Sequence, residues 1–405
     1  MNVPKLRFKG FEGAWEEYAM SEVGTFKKGS NLSKSDLSEE GKPCVLYGEL
    51  YTTYGPVINE IKSRTNKLIN KSVYGEKNDV LIPASGESAE DIATASSLNE
   101  NEVLLGGDIN IFTPKKDNGN FISYQINSSR KNQLVRWAQG ASVVHIYKDS
   151  LSKLKLRLPS LEEQIKIANF FEKLDLQIEL QTKKIDELKE QKKGLLQTIF
   201  SRELRFTDEN EELFPEWKRY RLDEIVERVT RKNKGVVTSL PLTISAQHGL
   251  VDQVTFFNNT VASTNLEGYF LLKKGEFAYN KSYSAGYPLG AIKRLNNYEQ
   301  GALSTLYICF KPKAKVYSDF LEQYFETTLW HKEVSMISVE GARNHGLLNV
   351  AVGDFFSTIH SIPSYDEQVK IADFLSKFDT KIKHENDKLS ALQEQKKGLL
   401  QQMFV

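Results

Sequence analysis

Two long, mostly polar stretches of this chain carry apolar residues at intervals of seven. In the first, Ile178, Ile185 and Ile199 fall in one series with Lys192, and Leu188 and Leu195 fill the alternate positions. In the second, Ile382, Leu389 and Met403 fall in series with Lys396, and Leu392 and Leu399 stand between. A narrow stripe of this period predicts a coiled-coil helix. About 40 residues at 1.5 Å each make a rod of roughly 60 Å. An isolated rod would leave its stripe in water. The equal length and width of the two stripes favour rod-on-rod pairing over packing of each rod on its own domain. Lys192 and Lys396 sit in the seam, where a charge costs stability but sets register, and their stems can reach the rim. These twelve residues form the expected helix–helix interface.

The two stretches are copies. Pro159–Phe200 aligns without a gap to Pro363–Phe404, and the octapeptide EQKKGLLQ begins at Glu190 and again at Glu394. Each copy opens with proline, then serine, then glutamate three residues on: Ser160 with Glu163, and Ser364 with Glu367. That spacing predicts a capping box at each helix start. Gly194 and Gly398 interrupt both helices at equivalent positions, at a cost of about 1 kcal/mol each relative to alanine. Two readings stay open: close backbone approach near the rod ends, or a local bend or early C-terminal cap.

The stretches between the rods are similar in size and echo one another faintly. Leu6–Phe8 and Leu204–Phe206 share LRF; Trp15 and Tyr18 match Trp217 and Tyr220 in spacing. The segment NDVLIPASG parallels GEFAYNKSY. Short β-rich runs dominate both: KPCVLYGELY, DVLIPAS, LPLTISAQ, GEFAYNKSY and LSTLYICFK. One helical stretch stands out at Ser318–Ile337. The polar linker Ser201–Trp217 reads as a surface crossing. The expected organisation is domain 1–158, rod 159–200, domain 201–362 and rod 363–405, an internal repeat. The fold class is α/β (α+β), with two mixed domains separated by two long pairing helices.

Composition adds limits. Of 405 residues, 40% are hydrophobic and 26% charged, as in a globular protein. No apolar run approaches the roughly 18 residues of a membrane span, and no apolar signal core opens the chain, so a cytoplasmic protein is expected. The formal net charge of +1 points to no strongly charged partner; nucleic-acid binding would need local charge or partner subunits. Cys44 and Cys309 are expected to be buried structural thiols rather than a disulfide or metal site.

The sequence holds no P-loop, no HExxH and no zinc-ligand spacing. It lacks an Asx-Pro-Pro-aromatic methyltransferase tetrapeptide, and none of its six histidines pairs with a nucleophile at recognisable spacing. A non-catalytic chain is expected. Polar-aromatic loops occur in both domains instead. Tyr51, Thr52, Thr53, Tyr54, Lys62, Arg64 and Ser85 are the candidate DNA-binding residues of the first domain. Gln247, His248, Asn280, Lys281, Ser282, Tyr283, Arg343, Asn344 and His345 are those of the second. Asn, Gln, Arg, Ser and Thr read base edges, and Lys anchors on phosphates. Ordinary surface loops share this composition.

With its P-S-x-[DE]-E-Q rod start, its QKKGLLQ near each rod end and its domain–rod–domain–rod repeat, the chain resembles the specificity subunits of type I restriction-modification enzymes. The resemblance spans the whole chain. It implies that each domain reads half of a split site on double-stranded DNA and that the rods pair antiparallel and set the gap. It also implies docking of two methyltransferase (modification) subunits, with restriction subunits possible in addition. S-adenosylmethionine, ATP and magnesium would belong to those partners, and no cofactor to this chain. A coiled-coil scaffold without DNA contact and an enzyme with an unrecognised motif are the rival readings.

Overall fold

A computed structural model describes residues 2–67, 72–140, 143–258, 265–284, 286–338 and 348–405. Its two long helices run Leu161–Phe200 and Tyr365–Met403, 40 and 39 residues. The chain divides into two compact units. Unit 1 comprises Met1–Lys183 with Asn386–Val405, and unit 2 comprises Lys184–Glu385. Each unit therefore contains part of both rods.

Within each unit the rod segments run in opposite directions. In unit 1, Phe171 of the first rod meets Phe404, just past the end of the second, with ring centres 5.7 Å apart, and Asp175 meets Lys396. In unit 2, Lys184 pairs with Glu385 at 3.0 Å and Lys192 with Asp379 at 2.6 Å. None of the twelve expected interface residues is exposed: Ile185, Leu188, Ile199 and Met403 are buried and the others half-buried. The seam lysines are ion-paired across the rods.

The rods are not separate from the globular parts. Ile167, Ala168, Phe171, Leu174, Met403 and Phe404 share one core with Trp15, Phe121 and Leu156. Leu196, Ile199, Phe200, Ile371 and Leu375 share another with Leu222, Phe320 and Phe355. Both packing modes weighed from the sequence thus operate at once. A long amphipathic helix has two flanks, and here one meets the other rod and one meets the domain.

Each unit has the same strand plan. A short antiparallel ribbon joins the strand leading into the domain to the strand leading out: Glu16–Ala19 with Lys155–Leu158, and Lys218–Arg221 with Ile359–Ile362. One four-stranded sheet in unit 1 has the order Ser63–Thr65, Lys42–Val45, Val103–Leu105, Tyr74–Gly75. Its counterpart in unit 2 has the order Gly249–Asp252, Pro241–Ser245, Gln300–Leu303, Phe270–Lys273. The central pair is parallel in both. A second sheet runs Gly24–Lys28, Ile109–Pro114, Val80–Pro83, Ser96–Leu98 in unit 1, with Val57–Ile58 added at the edge. In unit 2 it runs Val226–Arg228, Ile308–Pro312, Phe277–Asn280, Ala291–Arg294.

Several local expectations change. KPCVLYGELY is a strand only over Lys42–Val45; Glu49–Thr52 then turns as a helix. LSTLYICFK contains a turn before Ile308–Pro312. The helical stretch 318–337 is two helices, Ser318–Phe325 and His331–Ile337. The Trp330 indole N–H donates to the Phe325 carbonyl at 3.1 Å and is buried, which folds the chain back between them. Cys44 and Cys309 are free and buried, and burial pushes their thiols up to about 11 and about 12.

The rod starts show what the P-S-x-[DE]-E-Q sequence does. Ser160 and Ser364 accept the backbone N–H of Glu163 and Glu367 at 3.4 Å. The glutamates do not complete the capping boxes with their side chains. Glu163 takes a two-point contact from Arg7, 2.7 Å at each oxygen, and Glu367 lies 3.5 Å from Arg205. The glutamine carboxamides hold the domain. Gln164 donates to Asp117 and Pro159 and accepts from Asn118; Gln368 donates to Lys315 and Pro363 and accepts from Tyr317. The LRF segments are thus clasps. Phe8 packs edge-on against Phe170, and Phe206 against Phe374. Leu6 N–H donates to the Gln402 carbonyl, and Leu204 N–H to Thr198. Part of the linker Ser201–Trp217 is therefore structural packing rather than a bare surface crossing.

Neither a close backbone approach within this chain nor an early C-terminal cap fits the rod glycines. Both helices continue past Gly194 and Gly398, and a Cβ added at either would meet nothing within 4 Å.

Candidate nucleic-acid interface

In unit 1 the candidate residues lie mainly on the connection from strand Lys42–Val45 to strand Ser63–Thr65. The helix Glu49–Thr52 is nearly too short to hold itself, so side chains fix it. The Glu49 carboxylate accepts the Leu46 N–H at 2.7 Å and also takes the Ser63 hydroxyl. Thr52 and Thr53 are exposed. Tyr51 is half-buried near Gly86, and burial raises its phenol pKa. Tyr54 is half-buried too; its oxygen accepts the Lys62 N–H at 2.9 Å, and burial raises its pKa. Lys62 and Arg64 are exposed, with Lys62 paired to Glu60 and Arg64 donating to the Gly41 carbonyl at 3.0 Å. Ser85 differs from expectation. It is buried in the strand Ser85–Gly86, which pairs with Val144–His145, so its hydroxyl is not on an open loop.

In unit 2, Gln247 and His248 sit exposed in the tight turn joining Pro241–Ser245 to Gly249–Asp252. The Ser245 hydroxyl accepts the His248 N–H at 3.1 Å and shapes that turn. Asn280 ends a central strand; its Oδ1 accepts the Ser282 N–H at 3.0 Å. Lys281 and Ser282 are half-buried and Tyr283 is 61% exposed. Arg343, Asn344 and His345 lie outside the described residues.

Sequence reasoning passed over Phe256 and Phe257. They are 45% and 49% exposed on the short helix Gln253–Phe257, edge-on to one another, with Phe256 also edge-on to His248. The signal was available: two adjacent phenylalanines in VTFFNN, a polar, turn-rich stretch with no apolar period to bury them.

Among the described residues no group of His, Cys, Asp or Glu could hold a metal, and no helix is long and apolar enough to cross a membrane. What each unit offers is polar and aromatic side chains on loops, carried by strands paired into sheets. That arrangement suits readout of an external polar surface by loop contacts.

Residues 12–190 match the family model described as the type I restriction modification DNA specificity domain. Among curated proteins, the specificity subunit of the type I restriction enzyme MjaVIII of Methanocaldococcus jannaschii is 25% identical over 197 residues. That alignment covers 46% of this chain and 45% of the relative, so the match spans about half the length of each. Among solved structures, the S subunit of a type I restriction-modification system from M. genitalium superposes with a TM-score of 0.60 at 17% identity, covering 100% of this chain and 99% of that one. A chain solved in work on complex assembly and conformational transition of the type I R-M system gives 0.53 at 14% identity, covering 97% and 98%. At these identities the likeness is one of fold.

Proposed function

We propose, from the premise that this chain belongs to the type I restriction-modification specificity family, that it is the subunit that reads DNA. Each globular segment, 1–158 and 201–362, reads one half of a split site through its loops. The paired rods set the gap and carry two methyltransferase subunits. The chemistry belongs to those partners: S-adenosylmethionine for adenine methylation, with ATP and magnesium where restriction subunits join. The carrying observation is one strand plan used twice with different loops on it. Two related readers of different surface chemistry match a two-part target whose halves differ in sequence, as paired DNA-binding modules match paired half-sites. The low net charge fits a reader whose partners supply the remaining phosphate contacts.

Mapping methylated adenines in cells carrying this chain with its methyltransferase tests the reading. A two-part motif with one fixed gap is expected; a continuous motif, or none, sinks it. Inserting one matched heptad into both rods lengthens each by about 10 Å. At about 3.4 Å per base pair, the methylated motif is expected to gain about three base pairs of gap. Inserting it into one rod alone breaks the ion-pair register and abolishes methylation.

A further inference from the structure

In unit 1, Asp175 of the first rod serves two other elements at once. Its Oδ1 takes the ammonium of Lys396 from the second rod. Its Oδ2 accepts the phenol O–H of Tyr124, on helix Gly119–Asn127, at 2.7 Å. The Lys396 ammonium also lies 5.8 Å from the centre of the Tyr124 ring. Unit 2 repeats this with the rods exchanged. Asp379 of the second rod takes Lys192 of the first on Oδ1 at 2.6 Å. Its Oδ2 accepts the Gln323 carboxamide N–H, on helix Ser318–Phe325, at 2.8 Å. The domain-side partner is a phenol in one unit and a carboxamide in the other, yet each donates to the same oxygen of the equivalent aspartate.

The mechanical setting gives these nodes their work. Each domain is clamped by an aromatic rod end: Phe404 packs with Trp15, Phe121 and Phe171, and Phe200 with Trp217, Phe320 and Tyr324. One clamp fixes a position but not a tilt. Lys396 lies eight residues before Phe404, and Lys192 eight before Phe200, about 12 Å along each helix. The node is a second attachment at that distance. In unit 1 Tyr124 is buried in the core, but the rod side of the node is open: cavities of about 660 and 560 Å³ lie against it, and Asp175, Ile178 and Lys396 line both. With that space against the Asp175–Lys396 pair, the polar bridge rather than apolar packing resists rocking on the rod side.

We propose that Asp175 and Asp379 are positioning residues: each node sets the tilt of its reading domain on the rods, and the two together hold the recognised gap to a single length. This rests on the split-site reading above. Without a node the domain still recognises its half-site but tolerates neighbouring gaps.

The test uses the full chain assembled with its methyltransferase subunits. DNA probes carry the two mapped half-sites at the native gap, at one base pair shorter and one longer, and with either half scrambled. The variants are Tyr124→Phe, Asp175→Asn, Asp379→Asn and the exchange Asp175→Lys with Lys396→Asp. The first three are expected to lower the preference for native over shifted gaps at least tenfold, while the penalty for a scrambled half-site stays as in the parent. The exchange, which restores an ion pair across the rods but offers Tyr124 no carboxylate, is expected to recover only part of the gap preference. Variants that melt at lower temperature yet keep the parent's gap preference overturn the proposal, because a purely structural role predicts that result. Parent complexes with no split-site preference overturn the functional reading and the proposal together, whereas a gap-selective parent with equally selective variants overturns the proposal alone.

Discussion

Unit 1 and unit 2 are built alike where the domain meets the rods and differently where the loops face outward. The strand orders coincide apart from the added edge strand of unit 1, as do the arginine–glutamate clasp, the glutamine after each clasped glutamate, the tryptophan beside the rod-end phenylalanine and the three-way aspartate node. The connection after the first framework strand does not: in unit 1 it runs through a helix and an added edge strand, and in unit 2 it is a tight hairpin turn. The lesson is one of division of labour. Polar contacts that fix geometry recur at equivalent positions, sometimes with a different donor, and loops, which the strands support without depending on them, are free to differ.

The duplicated contacts are not equal in strength, which gives the sharpest tests. Glu163 is buried and held by two short contacts from Arg7. Arg205 divides itself between Glu216 at 2.8 Å and Glu367 at 3.5 Å, and burial pushes the Glu367 carboxyl above the ordinary carboxylate range. Removing Arg7 strands a buried charge, so Arg7→Ala is expected to cost unit 1 about 3–5 kcal/mol. Arg205→Ala removes a longer contact that Arg205 already divides with Glu216, and about 1–3 kcal/mol is expected in unit 2. Urea unfolding followed by hydrogen exchange on peptides from each unit separates the two. Equal losses would show that the clasps are energetically equivalent.

Next in size is a difference in acid sensitivity. His360 in unit 2 is buried, within 2.8 Å of the Tyr324 hydroxyl and of the Thr358 hydroxyl, and burial pushes it down to about 4. The equivalent ribbon position in unit 1 is Leu156. An unfolded chain takes up a proton near pH 6.5 that folded unit 2 refuses until about pH 4. The contribution is therefore fully present above pH 6.5 and is lost as pH falls toward 4, by up to about 3 kcal/mol. Unit 2 is expected to unfold before unit 1 on acidification. His360→Leu is expected to flatten this slope while lowering stability at pH 7, since Tyr324 loses its partner. A slope unchanged in the variant would assign the acid sensitivity elsewhere.

The smallest expected effect concerns an identity between the units. Gly194 and Gly398 face open space, so Gly194→Ala and Gly398→Ala are each expected to stabilise the rods by about 1 kcal/mol, read as a rise in melting temperature. A fall instead would mean that the helix needs the glycine backbone at these positions. Should affinity for the methyltransferase drop while stability rises, the bare backbone serves a partner rather than the fold.

Much of the frame was legible in the sequence. The heptad positions Ile185, Leu188, Ile199 and Met403 are buried as their period implies, and the serine–glutamate spacing located both helix starts. Less was legible where a residue's partner is remote. Nothing local says that Glu163 answers Arg7, 156 positions earlier, or that Asp175 answers Lys396, 221 positions later. Ser85 was counted with the loop candidates although it closes the β-rich run DVLIPAS, and a strand from far along the chain pairs with it. Phe256 and Phe257 were missed because attention to polar residue types hides an aromatic pair, although their polar, aperiodic setting already pointed to exposure.

The repeat, the two rods and the stripe on each were legible from the residues alone, because helix period and duplicated motifs are properties of neighbours along the chain. Only the tertiary structure decided that each rod end is also part of a domain core, that the glutamates are clasped rather than capping, and that one aspartate in each unit joins three elements. Those outcomes depend on which distant side chains arrive at the same place, and burial gives such meetings their energy.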